Sequence, residues 1–312
     1  ALQQASEQGH VYLPEPELLA QASELLEIPT EQLKPILDAQ TSARELVSEV
    51  GIHPQHAAVY QSTIRMAEAE SAALLAKLAR SPSRLADMAQ LALTLPDETA
   101  ALSEQQLAAI RMVWQHPVSV LTGGPGTGKT TTLKALIAAV ERARHPFALA
   151  SPTGRAAKRL TEATGRPAQT LHRLLGYTPN TGFTVGQEEP LRAHLVVVDE
   201  ASMLDLQLFH NLLNAVEPGA HLLLVGDVDQ LPAVGAGDVL RDLVRSEVPR
   251  AGVSHIEIER FPGKVKVVVH TAKPGVLIGR KGESVKKLRL RLEALVGKKI
   301  DLEIKEIKAP DL

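Results

Sequence analysis

The residues with the clearest chemical signature form a glycine-rich segment at residues 123–130, which reads G-G-P-G-T-G-K-T. Glycines let main-chain N–H groups close around phosphate oxygens, and a helix that begins there points its positive end at the same anion. In this pattern Lys129 reaches the β- and γ-phosphates of a nucleoside triphosphate, and Thr130 binds Mg²⁺. The predicted nucleotide-binding residues of the segment are Gly123, Gly124, Pro125, Gly126, Thr127, Gly128, Lys129, Thr130 and Thr131.

The flanks of this segment have the order that a phosphate-binding loop requires. Apolar residues 118–121 predict a buried strand before the loop. After the loop, Leu133, Leu136 and Val140 recur at helical spacing. An ordinary glycine-rich turn between a strand and a helix is the alternative, and both flanks favour the phosphate-binding interpretation.

A second chemical signature is the acidic pair Asp199 and Glu200, which follows the apolar run at residues 195–198. Open α/β sheets bind ligands at the carboxyl ends of their strands. Asp199 is therefore predicted to hold Mg²⁺ through its water shell, and Glu200 to orient and deprotonate an attacking water. The alternative is a helix N-cap. We expect this strand to lie beside the strand that precedes the phosphate loop.

Two glutamines are candidates for further contacts with a nucleotide. Gln230 ends the sequence G-D-V-D-Q after another apolar run, and this position suits a sensor of the γ-phosphate. Gln106 has two open interpretations. It either contacts the edge of an adenine or only completes a helix capping box with Ser103.

A nucleic-acid contact is predicted after the apolar residues 146–150. The segment at residues 151–159 begins a helix, and Thr153, Arg155 and Lys158 can hold a nucleic-acid backbone. A solvated helix face rich in Arg and Lys is the more common meaning of such a pattern.

Composition restricts the class of protein. The 312 residues are 44% hydrophobic, which suits two or three globular domains, and no apolar run is long enough for a membrane span. Cysteine is absent, which excludes disulfides and thiolate metal sites. No signal peptide is recognisable, so we expect a cytoplasmic protein. The 11 histidines form no cluster with metal-ligand spacing.

Charge is distributed unevenly along the chain. Residues 1–100 carry 6 Lys and Arg against 14 Asp and Glu, whereas residues 253–312 carry 14 against 8. Only the C-terminal segment has the charge of a nucleic-acid-binding domain. Aromatic residues make up 3% of the chain, so base stacking is not the main source of affinity.

The acidic N-terminal segment is predicted to be a small, mostly helical domain. Helical patterns cover residues 15–26, 31–39, 43–50, 64–78 and 84–93, and short runs at residues 9–13 and 57–60 suit the strands of a winged-helix-like unit. Its negative charge argues against DNA binding and favours a scaffold or protein contact. Prolines and a polar stretch near residue 100 predict a domain boundary there.

Together the motifs TGGPGTGKTTT, ASPTGRAAKRL, VVVDEASML and VGDVDQLPAVGAGD resemble the first motor domain of RecD-like helicases of superfamily 1. The resemblance covers residues 1–248 and implies a RecA-like P-loop NTPase domain with a parallel sheet. It also implies ATP-driven 5′-to-3′ movement on single-stranded DNA and unwinding of duplex DNA. It assigns Gln106 to the adenine, which favours the functional interpretation of that residue.

Such helicases continue into a second RecA-like domain that supplies arginine fingers, but residues 249–312 do not resemble it. Residues 254–260, 264–270 and 299–304 predict strands, and a basic helix is predicted at residues 284–295. Gly279, Arg280, Lys281 and Gly282 form a G-x-x-G loop. This is the loop with which KH domains clamp a nucleic-acid backbone. A simple helix–turn–helix is the alternative.

Residues 251–310 closely resemble the KH domain of the bacterial ribosomal protein uS-three, an α+β domain of type II. The first helix of that domain is expected to be replaced by the helicase-like residues 238–248. The predicted domains are therefore residues 1–100, 101–248 and 249–312, and the abrupt change indicates a fusion or chimera. The leading function is the ATP- and Mg²⁺-dependent part of a DNA helicase, with RNA or single-stranded nucleic acid as the ligand of the KH segment. A nucleic-acid-binding module with a non-catalytic nucleotide scaffold is the alternative.

Overall fold

A computed structural model shows two compact units, Ala1–Asp242 and Leu243–Leu312. It describes residues 1–88, 102–124, 126–227, 230, 233, 235–246, 253–261, 264–271 and 299–306. The predicted domain boundary near residue 100 lies outside these ranges. Within them, no helix is long and apolar enough to cross a membrane.

The N-terminal part of the first unit is mostly helical and includes a small antiparallel sheet. Its elements are α1 (Leu2–Glu7), β1 (Leu13–Pro14), α2 (Glu15–Leu26), α3 (Thr30–Ser42), β2 (Leu46–Glu49), β3 (Ala58–Gln61) and α4 (Ser62–Ala79). The strand order is β1-β3-β2, with Leu13 opposite Val59. Leu18 and Leu37 pack with these two residues in one apolar cluster, so burial of one face of α2 and α3 holds the sheet.

The helix predicted at residues 43–50 is wrong, because this segment contains β2. The preceding helix ends at Ser42, and Arg44 adopts a positive φ of 62°, which interrupts helical geometry. Leu46 then pairs with Gln61 of β3. Short apolar patterns suit either a helix or a strand, and here the neighbouring strand decides between them.

The second part of the first unit is a five-stranded parallel sheet between helices. Its elements are α5 (Glu104–Gln115), β4 (Val118–Thr122), α6 (Lys129–Arg142), β5 (Phe147–Ser151), α7 (Gly154–Thr164), β6 (Gln169–Thr170), α8 (Leu171–Leu174), β7 (Leu195–Val198), α9 (Leu206–Ala215) and β8 (His221–Gly226). All residues of β7 and β8 are buried, as expected for strands covered on both faces. This is the α/β architecture predicted for a RecA-like P-loop domain.

The strand order is β4-β8-β7-β5-β6, and it contradicts the one neighbour relation that we predicted. We expected β7 beside β4, but β8 lies between them, with Val120 opposite Leu224 and Leu224 opposite Val198. Periodicity identifies apolar strands but does not order them, because every central strand is equally apolar. All five carboxyl ends still lie on one edge of the sheet.

Helix α4 joins the N-terminal part to the parallel sheet domain. Ile64 and Ala67 pack in one apolar cluster with Leu206 of α9 and with Ala236. A second contact is polar, because the main-chain N–H of Gly237 donates to the Gly9 carbonyl at 3.0 Å. These contacts explain why residues 1–242 form one compact unit.

Three histidines lie at the amino ends of the central strands, and two of them, His145 and His221, contact the segment that follows α4. His221 is fully buried, where Nδ1 donates to the Val113 carbonyl and Nε2 contacts the Ser83 hydroxyl, each at 2.6 Å. Nδ1 of His145 contacts Nδ1 of His194 at 2.9 Å. Burial lowers the pKa of both His194 and His221. Both rings therefore act as neutral hydrogen-bonding groups at neutral pH. In the described part of the chain, these histidines belong to no group of three His, Asp or Glu residues that could hold a metal ion.

The second unit contains three described strands, β9 (Val253–Phe261), β10 (Lys264–Thr271) and β11 (Lys299–Glu306). Strand β10 is central, antiparallel to β9 and parallel to β11. Parallel neighbours need a crossover of a dozen residues or more. Residues 272–298 are long enough for one, and the predicted basic helix and G-x-x-G loop lie there, outside the described residues. The last helix of the chain's described part, α10 (Val239–Ser246), includes the boundary between the two units.

Candidate functional site

The glycine-rich loop connects β4 to α6 in a conformation that only glycine adopts easily. Gly126 has φ of 75° and Gly128, the N-cap residue of α6, has φ of 86°. The Lys129 ammonium donates to the carbonyls of Gly123 and Gly124, the latter at 3.0 Å. The loop thus curves around a cation at the N-terminus of a 14-residue helix. Such a site favours an anion. Pro125 lies outside the described residues.

The three consecutive threonines after the lysine have different environments. Thr132 is buried, and its hydroxyl donates to the Gly128 carbonyl at 3.1 Å. Thr130 and Thr131 are exposed and line the adjacent cleft. Thr130 is therefore available as an oxygen ligand for a metal ion, whereas Thr132 stabilises the first turn of the helix.

A cleft of about 480 Å³ brings most of the predicted nucleotide-binding residues together. It is lined by Gly126, Thr127, Gly128, Lys129, Thr130, Thr131, Asp199, Glu200, Gly226, Asp227 and Gln230. One wall presents a cation and the N-terminus of α6, and the opposite wall presents carboxylates. Phosphate oxygens suit the first wall, and a hard divalent cation suits the oxygen atoms of the second. The residues present thus fit a nucleoside triphosphate with Mg²⁺.

The acidic pair continues directly from the buried strand β7. The main-chain N–H of Asp199 donates to the Ala150 carbonyl of β5 at 2.9 Å, which fixes the end of the strand. Burial raises the pKa of Asp199, and the N–H of Glu200 and the Lys129 ammonium partly oppose that rise. Asp199 is thus an acidic group of low hydration that faces a cation.

Glu200 has an unusual backbone conformation. Its φ of 55° and ψ of 42° are left-handed, and a non-glycine residue adopts this conformation only at a cost. A one-turn 3₁₀ helix at Ala201–Met203 follows, and the N–H of Met203 donates to the Glu200 carbonyl at 3.0 Å. The turn directs the chain away from the sheet immediately after the carboxylate. Strain of this kind is common at functional sites.

The structure confirms one of the two interpretations of Gln106, the capping box, and does not test the adenine contact. Gln106 completes the capping box of α5, because its side-chain oxygen accepts from the Ser103 N–H at 2.9 Å. Its side-chain nitrogen also contacts the Gly128 carbonyl at 3.4 Å. The capping residue is therefore in contact with the phosphate loop. Its role toward an adenine stays a prediction.

The predicted nucleic-acid segment lies at the start of α7, on the same edge of the sheet as the cleft. The Thr153 hydroxyl caps α7 by accepting from the Ala156 N–H at 3.3 Å. Arg155 is exposed, and the exposed Lys158 lies 3.9 Å from Glu162. The segment thus presents two cations to solvent. Gly279, Arg280, Lys281 and Gly282 lie outside the described residues.

Sequence reasoning assigned no role to Asp227, although it lines the cleft. Asp227 follows β8 directly, is only 4% exposed, and its carbonyl accepts from the Gln230 N–H at 3.2 Å. The available signal was its position, because it is the first polar residue after a fully apolar strand. The same reasoning had located Asp199 after β7.

Comparisons with known proteins divide the chain near residue 240, on the N-terminal side of the boundary predicted between residues 248 and 249. The family model described as AAA domain matches residues 106–236, and the model described as KH domain matches residues 240–312. Two different family models thus match adjoining parts of this chain. The predicted resemblance to RecD-like helicases and to the KH domain of uS3 is confirmed by named relatives.

Three relatives illustrate the two similarities. The ATP-dependent RecD2 DNA helicase of Deinococcus radiodurans is 52% identical over 136 residues, 44% of this chain and 19% of that protein. The RecD subunit of the RecBCD enzyme of Mycobacterium tuberculosis is 44% identical over 204 residues, 58% of this chain and 34% of that protein. The small ribosomal subunit protein uS3 of Thermomicrobium roseum is 53% identical over 73 residues, 23% of this chain and 33% of that protein. The chain spans between 19% and 34% of the length of these three relatives.

The two matches are separated by residues 237–239 only. The KH match begins at residue 240, so most of α10 lies inside it. The sequence interpretation had given this helix to the helicase-like part and expected it to replace the first KH helix. The match shows that the helix is compatible with a KH domain.

Proposed function

We propose that residues 101–248 bind and hydrolyse ATP with Mg²⁺ as the first motor domain of a RecD-like helicase. The observation that carries this proposal is the cleft in which Lys129, Glu200 and Gln230 meet at the carboxyl edge of a parallel sheet. The similarity to RecD and RecD2 supports the same class of reaction. The chain spans only part of the length of these helicases. We therefore propose duplex unwinding only for a larger protein that contains this motor domain.

The roles of the residues follow from their chemistry. Lys129 contacts the β- and γ-phosphates, and the N–H groups at the start of α6 hold the same oxygens. Thr130 and Asp199 hold Mg²⁺, which neutralises charge on the phosphate oxygens when it is bound. Glu200 accepts a proton from the attacking water, and Gln230 contacts the γ-phosphate. Gln106 lies beside Gly128 and contacts the adenine.

Hydrolysis by this cleft alone is expected to be slow. No arginine is among the described residues that line it. An arginine contributed from outside a P-loop site typically raises the rate by about 10³–10⁵-fold. We therefore propose that the motor domain reaches full activity only when another domain or protomer supplies such a residue.

Nucleotide binding and turnover in the presence of single-stranded DNA test this proposal. We expect Mg·ATP to raise the melting temperature of the chain, and single-stranded DNA to increase a slow turnover. Thr153, Arg155 and Lys158 are the proposed DNA contacts. A chain that shows no thermal shift with Mg·ATP and no turnover above buffer would contradict the proposal.

A second function is supported by the KH match and by the basic charge of the C-terminal segment. We propose that the loop at residues 279–282 binds RNA or single-stranded DNA independently of ATP. Changing both Arg280 and Lys281 to Asp should weaken binding at least about tenfold, since each phosphate contact adds a salt-dependent share of the affinity. The matched control changes Lys286 and Lys287 to Asp, which alters the net charge equally. Equal loss of affinity in both double variants would indicate non-specific charge attraction instead of clamping by the loop.

A further inference from the structure

Four buried polar side-chain atoms in the described residues have no hydrogen-bond partner. They are the hydroxyls of Ser71, Ser151 and Ser202 and the indole nitrogen of Trp114. Ser151 ends β5, the strand beside β7, and Ser202 lies in the turn directly after the acidic pair. An unpaired buried hydroxyl lowers stability, and proteins usually avoid it. Its presence beside a proposed catalytic pair therefore needs a reason.

Ser202 occupies the junction between the two segments that carry the proposed catalytic residues. It is 4% exposed and lies in the 3₁₀ turn directly after Glu200. Gly226, the residue before Asp227, approaches this turn very closely. A Cβ atom on Gly226 would lie 3.1 Å from the Ser202 nitrogen. The Ser202 main chain thus lies against the end of β8, directly before the segment that contains Gln230, and its hydroxyl is buried.

The turn itself is constrained on both sides of Ser202. The N–H groups of Met203 and Leu204 donate to the carbonyls of Glu200 and Ala201, at 3.0 and 3.1 Å. Asp227, on the facing segment, is as deeply buried as Ser202 and connects through its carbonyl to the N–H of Gln230. A hydrogen bond between the Ser202 and Asp227 side chains would connect the Glu200 turn to the residue whose carbonyl accepts from the Gln230 N–H.

We propose that Ser202 is a positioning residue of the ATPase site, an inference that rests on the proposed function. When Mg²⁺ and the nucleotide phosphates fill the cleft, the Ser202 hydroxyl donates to the Asp227 carboxylate. This bond sets the spacing between the Glu200 turn and the Gln230 segment.

The experiment compares Ser202→Ala with Ser71→Ala in the full chain. Ser71 lies in α4 and is also a buried, unpartnered serine, so it controls for the loss of a buried hydroxyl. Affinities are measured for Mg·ADP and for Mg·ADP with aluminium fluoride, which mimics the phosphoryl group in transfer. We compare the affinity for Mg·ADP with aluminium fluoride to the affinity for Mg·ADP alone. We expect Ser202→Ala to reduce the ratio of these two affinities about tenfold, the typical effect of one hydrogen bond to a charged group. We expect kcat to fall by the same factor, with KM for ATP and the melting temperature unchanged.

Each other outcome overturns the proposal in a recognisable way. An unchanged preference for the fluoride complex in Ser202→Ala excludes a positioning role. A melting temperature that falls in Ser202→Ala but not in Ser71→Ala shows that the hydroxyl already has a structural partner. If the wild-type chain binds neither nucleotide complex, the proposed function itself fails, and that result is distinct from a failure of Ser202.

Discussion

Replacing Lys129 by alanine should reduce ATP turnover by at least about 100-fold, the typical effect of removing one preorganised donor at a site of developing charge. The Lys129 ammonium lies within the phosphate loop, where it donates to two loop carbonyls. No other lysine or arginine is among the described residues that line the cleft. Its loss therefore leaves the phosphate charge opposed only by Mg²⁺ and main-chain N–H groups, with no cationic side chain from the described lining. Turnover and nucleotide affinity, measured by phosphate release and by titration calorimetry, test this expectation.

Lys134→Ala is the matched control for this variant. Lys134 lies in the same helix, five residues farther on, and is exposed. Its replacement removes the same charge but does not alter the cleft, so turnover should stay within about twofold of the wild type, since exposed charges contribute little. Equal effects of the two substitutions, or full activity of Lys129→Ala, would contradict the assignment of Lys129 to the nucleotide-binding site.

Glu200→Gln should lower kcat by about 10²–10⁴-fold, the usual contribution of a general base, with nucleotide affinity largely retained. Glutamine has nearly the same shape as glutamate but does not accept a proton from water. The left-handed backbone at this position, with φ of 55°, follows from the 3₁₀ turn and should be kept by an isosteric side chain. Single-turnover hydrolysis and nucleotide binding, measured together, separate the loss of a base from the loss of the fold.

The exposed Glu188 offers a control of the same chemistry outside the cleft. Glu188→Gln should leave turnover unchanged. If Glu200→Gln also hydrolyses ATP at the wild-type rate, the proposed base is wrong. In that case another cleft carboxylate, such as Asp227, becomes the candidate.

The elements that carry the proposed chemistry follow closely from local patterns. Buried parallel strands leave continuous apolar runs, which is why β7 and β8 are found where the sequence predicts them. The capping box at Ser103 and Gln106 is also local, because it depends on residues three positions apart. The failure at residues 43–50 has the opposite cause. That segment has no strong hydrophobic periodicity of its own, so its pairing with β3 decides its conformation.

Other features depend on residues far apart in the sequence. The place of β8 between β4 and β7 puts Asp227 into the same cleft as Lys129 and Asp199. The contact of Gln106 with Gly128 joins a capping residue to the phosphate loop. Gly226 closely approaches the main chain of the turn that carries the buried, unpartnered Ser202 hydroxyl. None of these contacts has a periodic or compositional signature.

The sequence by itself determined the classes of the motor domain and the KH domain and the order of the motifs. It also determined the identity of the residues that could bind a phosphate and a metal ion. These depend on residue type and short spacing, which are local properties of a chain. Only the tertiary structure decided which strands are neighbours and which carboxylates share a cleft with Lys129. It also decided that the backbone at Glu200 is left-handed. The physical reason is that these properties arise from packing between distant segments, where many arrangements of equally apolar strands satisfy the same local pattern.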